Sequence, residues 1–267
     1  MRSSYLIAGL AVAAAVVLGL TFYYRMAGQD REAVEAVPVP PVEAPAAGEP
    51  ATSSTVMEET PPSPVIRPPE LVLPPLNASD DFVRGRLPDT IPQAWTGKDD
   101  LLRRLAVLAE NASRGELPRR QLAFLAPDGK FAVREQADTG SEEAKLFMDP
   151  AGYRRYDRYL DILESLPPAT LAALLNDTAP LLQQAVQELG VEGEAQAQML
   201  AAIDQMMAVP VLEGDVELVQ PKVFYEYADP SLEALSSLQK QVLRMGPENV
   251  KRLQAYLTTL RAELERR

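Results

Sequence analysis

The sequence predicts a mainly α-helical protein in three parts: an N-terminal transmembrane helix, a disordered Pro-rich linker, and a C-terminal helical domain with one or two minor β-hairpins. Three observations carry that reading. Residues 6–24 hold no charged side chain. Residues 28–75 are crowded with proline and glutamate and show no apolar period. From Leu76 onward, leucines recur at helical spacing between glycine and proline breaks.

The apolar stretch is 19 residues, and a helix of them spans about 28 Å, near the thickness of a bilayer's hydrocarbon core. Tyr23 and Tyr24 close it as an interfacial aromatic pair, with Arg25 next. A cleaved signal peptide is the rival reading. Its cleavage site wants small residues at −3 and −1, and Arg25-Met26-Ala27 puts an arginine in one of those places. Residues 1–27 are therefore read as a short cytoplasmic stub and an uncleaved anchor. Within it Gly9 and Ala13, and Ala15 and Gly19, stand four apart, the spacing that lets two spans pack as a homodimer.

Residues 28–75 form the linker. Pro-Val-Pro-Pro at 38–41 and Pro-Pro-Ser-Pro at 61–64 favour polyproline II and oppose a packed core. The net charge of −12 is uneven. Residues 1–27 carry +2 and residues 28–75 carry −6, so residues 76–267 carry −8. Such acidity repels nucleic acid, which is not an expected partner. It also favours translocation of the long downstream region, so the bulk is placed outside the cytoplasm.

The domain, 76–267, reads as successive helices. Ser79-Asp80-Asp81 is a cap for a short helix stopped by Pro88. Leu101, Leu105, Leu108 and Ala112 share one face, ended by Gly115. Residues 121–125 and 130–134 flank Pro127-Asp128-Gly129, which predicts a small hairpin, and 138–141 reads as a loop. Asp149-Pro150 opens a helix with Tyr153, Tyr156, Leu160 and Leu163 inward. Pro167-Pro168 starts a longer helical stretch to Gly190, which Pro180 must kink or divide. Met199, Ile203 and Met206 form a methionine-rich core stripe. The second β region is 216–227. Asp229-Pro230 opens further helices, the last from Pro247 with Val250, Leu253, Leu257, Leu260 and Leu264 on one side.

The chain has no histidine and no cysteine. That removes Ser–His–Asp and Cys–His nucleophiles and any His- or Cys-ligated zinc site. No cofactor motif and no EF-hand loop is present. Three constellations remain. On one helix Arg154, Arg155 and Arg158 stand with Tyr153 and Tyr156, an arrangement suited to carboxylate or phosphate groups; the competing account pairs the arginines with Asp157 and Asp161. Arg244-Met245-Gly246-Pro247-Glu248-Asn249 is a tight corner with Gly246 as the left-handed residue, and N–H groups at Asn249 and Val250 could hold an anion. It faintly resembles half of a helix-hairpin-helix DNA module but has Arg244 where that module wants glycine. Asp157, Asp161, Asp229, Glu233 and Glu248 are the acids a glycosidase would draw on.

The runs RRYDRYLDIL at 154–163, PLLQQAVQELG at 180–190 and YEYADPSLEALSSLQKQVLRMGPENVKRL at 225–253 carry a resemblance. They resemble an uncharacterised family of bacterial single-span envelope proteins known only as a domain of unknown function. The likeness covers roughly 71–265. It departs after Gly190, where Val191-Glu192 stand in place of an aromatic and a proline. The resemblance implies a bacterial envelope protein with an anchor, a Pro-rich linker and a helical domain, and brings no activity or catalytic residue; with the topology read above, the expected place is the inner membrane, single-pass, with the C-terminal domain periplasmic. Two functions stay open: a non-enzymatic adaptor binding a protein or cell-wall component, and a carboxylate-dependent enzyme acting on peptidoglycan or another glycan.

Overall fold

The computed structural model describes residues 71–118, 127, 129–137 and 144–266. The expected anchor at 6–24, the linker up to residue 70, the hairpin arm at 121–125 and the loop at 138–141 lie outside the described residues. Among the described residues, no helix is long and apolar enough to cross a membrane.

A turn of 3-10 helix at Leu76–Ala78 leads into α1 (Asp80–Arg84) and α2 (Gln93–Thr96). Ser79 does not cap α1 through its side chain; its hydroxyl donates to the Leu76 carbonyl at 2.8 Å. Asp80 instead reaches forward to α3 (Leu101–Ser113), where its two carboxylate oxygens accept the Asp100 and Leu101 N–H groups, both at 2.8 Å. Those N–H groups have no intrahelical partner, so a carboxylate from another element does the capping. Asp80→Ala is expected to lower the free energy of unfolding by about 1–2 kcal/mol. A urea midpoint equal to the parent's would show the cap to be idle.

The expected stripe of α3, Leu101, Leu105, Leu108 and Ala112, is buried. Helix α4 (Asp157–Glu164) follows a 3-10 segment at Pro150–Tyr156, with Asp149 accepting the Ala151 N–H at 2.8 Å as its cap. Pro180 divides the next stretch into α5 (Pro168–Asp177) and α6 (Ala179–Glu188), and the buried Thr178 between them donates its hydroxyl to Leu174 O at 2.7 Å. Then come α7 (Ala195–Met207), α8 (Pro230–Glu233), α9 (Ser237–Leu243) and α10 (Pro247–Glu265). Met199, Ile203 and Met206 of α7 are core, as expected. Helix α3 packs on α6 and α7, while α10 packs on α4, α5, α7 and α9. The all-apolar side of α10, from Val250 to Leu264, closes the core.

The strands depart further from expectation. Among the described residues, β1 (Val133–Gln136), β2 (Lys145–Met148), β3 (Glu217–Val219) and β4 (Glu226–Tyr227) form one antiparallel sheet in that order. Strand β1 pairs with β2, Val133 opposite Met148, so the described part of the expected 130–134 arm leads into a strand whose partner is 145–148. Lys-Leu-Phe-Met was missed because a short apolar run next to a helix cap has no period of its own. The expected 216–227 region is present, narrowed to two short strands joined by register Leu218↔Tyr227.

The core also holds a tyrosine hydroxyl with no hydrogen-bond partner among the described residues. The Tyr256 hydroxyl is shut from solvent with no hydrogen bond among the described residues, and burial pushes its pKa up. Tyr256→Phe is expected to stabilise the fold by about 1 kcal/mol, read as a raised melting temperature. A lowered one would reveal a hydroxyl contact.

Candidate functional site

The Asp149 cap and Pro150 start a 3-10 turn, so Tyr156 arrives pointing into the domain while Arg154 and Arg158 stay on its surface. Tyr156 is 1 % exposed, and its hydroxyl accepts from Arg155 Nη2 at 2.8 Å and from Gln241 Nε2 at 3.1 Å. Gln241, 3 % exposed on α9, thus fixes the phenol that fixes Arg155. The Arg155 guanidinium carbon lies 4.8 Å from the Tyr156 ring centroid. Its Nε and Nη1 are shut from solvent and have no acceptor among the described residues. Arg154 and Arg158 are exposed, and neither forms an ion pair among the described residues.

The acids expected to pair with them are committed elsewhere. Asp157 accepts from Asn249 Nδ2 at 2.9 Å. Asp161 and Glu164 both hold Arg252 of α10, each at 2.6 Å. The local helix-neighbour account of the arginines therefore fails, because long-range partners outcompete neighbours on the same turn.

Arg244, the C-cap of α9, sits 5.3 Å from the Phe131 ring centroid and 6.0 Å from that of Tyr227. Burial pushes the Tyr227 phenol up to about 12, against the opposing pull of Arg244. Asn249 is 4 % exposed and donates to the Tyr153 and Met245 carbonyls at 3.2 Å as well as to Asp157. The Val250 N–H goes to Gly246 O at 3.0 Å. The Gly246–Asn249 corner is thus a structural tie.

Residues 101–261 match the family described as "Protein of unknown function (DUF3014)". The chain belongs to DUF3014. No curated protein and no solved structure matches it. The arginine and tyrosine cluster falls wholly inside the DUF3014 span, whereas Asp80, which caps its first helix, falls outside it.

A cleft of about 430 Å³ opens between β3 and α8 in the DUF3014 domain, with Leu212, Val216 and Leu232 among its lining residues. Four acids line it, and each has a partner: Glu213 with Lys251, Asp215 with Arg134, Glu217 with Lys145, and Asp229 with the Ser231 N–H. Among the described residues, no three acids gather as a metal-binding group. Hydrogen bonds from Ser231 hold the Asp229 carboxyl below its usual range. Burial would raise that of Glu233, but Lys240 and the Tyr227 N–H outweigh it and bring it down. A glycosidase acid needs a shift in the other direction. Sequence reasoning missed Gln241 and Tyr227; a glutamine inside the Leu238–Val242 apolar stripe was the available signal for the first.

Proposed function

We propose that the protein is a single-span, membrane-anchored envelope protein whose periplasmic DUF3014 domain is a non-enzymatic adaptor for a protein or cell-wall component. The anchor and its topology rest on the charge-free stretch at 6–24. The adaptor reading rests on one contrast within the domain. Asp157, Asp161 and Glu233, among the acids that a histidine- and cysteine-free enzyme would draw on, are engaged in contacts within the fold, while Arg154 and Arg158 stand exposed with no ion pair among the described residues. In a domain of net −8, that is a local reversal of sign, which suits an anionic partner group. The glycan-hydrolase alternative would have to use Asp157, Asp161 or Glu233, which already hold Asn249, Arg252 and Lys240.

Replacing Arg154, Arg155 and Arg158 together with Gln is expected to abolish complementation of a deletion strain while the melting temperature barely moves. Full complementation would sink the adaptor face. Lost function with a collapsed melting temperature would assign these arginines to the fold instead.

A further inference from the structure

We infer that the cleft between β3 and α8 is a docking site for a lysine or arginine side chain of a partner protein. The cleft brings apolar and acidic groups to one place: Leu212, Val216, Ala228 and Leu232 line it together with Asp229 and three further acids. A long basic side chain has the matching build, an apolar stem that buries against carbon while its charged head keeps to water and carboxylate. Asp229 is the acid left for that head. Its Oδ1 accepts the Ser231 N–H at 2.8 Å and the Ser231 hydroxyl at 2.7 Å, and no cation pairs with it among the described residues. Those neutral donors hold the carboxyl ionised without cancelling its charge.

The charge count has the matching sign. Glu213, Asp215, Glu217 and Asp229 face Lys251, Arg134 and Lys145, and Lys251 also serves Glu248, so five acids meet three cations and the group carries −2. The neighbours leave that sum unchanged. Asp149, whose charge reaches Arg134, offsets Arg244 beside the Tyr227 ring, and Glu233 offsets Lys240. Lys222 and Glu226, between β3 and the end of β4, cancel likewise. Nucleic acid and anionic lipid are repelled by such a group. The surface alongside favours a protein over a small free amine. Val219 stands two residues beyond Glu217 on β3, hence on the same face, and is 42 % exposed; Val223 and Phe224 follow at 53 % and 39 %. A free amine leaves these side chains wet, whereas a protein segment carrying the basic residue covers them. This inference rests on the adaptor reading and gives it a second face, built on residues other than the arginines.

The test uses the full chain in uncharged detergent, with empty micelles as the blank, and a capped hexapeptide of alternating lysine and valine as probe in equilibrium dialysis. Saturable binding of one peptide per chain is expected, weakening as salt is added. The same peptide with acetylated lysines should bind at least about tenfold more weakly. Asp229→Asn keeps a side-chain oxygen for the Ser231 N–H, and with it the cap on α8, and should lose about fivefold in affinity with an unchanged melting temperature. Ala228→Leu, which fills the cleft and changes no charge, should lose a similar factor. Equal binding of the acetylated peptide overturns the inference, as does either variant binding as the parent does. So does spermidine binding as tightly as the peptide, which would assign the cleft to small amines. A peptide that does not bind removes this inference alone; the adaptor reading stands or falls on complementation by the arginine variant, in which the cleft residues are unchanged.

Discussion

Gly246→Ala is expected to cost about 3–5 kcal/mol, a large share of the stability of a domain this size. Two penalties combine. The Gly246 backbone sits at φ 82 and ψ 162, a region that only glycine occupies without strain. An added Cβ would also lie 2.4 Å from two ring carbons of Tyr153, so the ring must leave its place. The two can be separated. Tyr153→Ala in the same background removes the collision and leaves the strain, so the added cost of Gly246→Ala should shrink to about 1–3 kcal/mol. Urea unfolding of the four proteins measures this directly. A Gly246→Ala melting curve that overlays the parent's would refute the Tyr153–Gly246 contact.

Asn249→Leu is expected to cost about 2–3 kcal/mol, because it leaves the Asp157 carboxylate and two carbonyls facing an apolar group. Asn249→Asp should be worse at neutral pH, since it sets a buried carboxylate against the half-buried one of Asp157. Its pKa would be raised by that repulsion and by burial, so the extra loss should fade as pH drops through the raised value. Equal stability of the Asp and Leu variants from pH 5 to 8 would deny the Asn249–Asp157 bond.

The helices were legible because burial leaves a period. Leu101 to Ala112, Met199 to Met206 and Val250 to Leu264 announce their inward faces with no knowledge of what they face. Proline marked the division at Thr178 for the same local reason. The candidate site was legible in its residues and illegible in its partners. Neighbour rules hand Asp157 and Asp161 to Arg154 and Arg158; the structure hands them to Asn249 and Arg252, 92 and 91 positions away. Asp80 reads as a cap for its own helix and serves one that begins 21 residues later. No spacing argument reaches such distances. Strand β2 was hidden differently, four residues long and paired across a connection that carries no tight-turn signature.

The attachment of residues 71–100 bears on the extent of the folded core. It meets the DUF3014 span through the Asp80 cap on α3 and through the Trp95 ring, stacked 5.4 Å from that of Tyr159. With Leu76, Val83, Leu87, Ile91 and Trp95 also buried, this segment outside the DUF3014 span shares its core, so a fragment cut at residue 101 would bare apolar surface that these side chains cover.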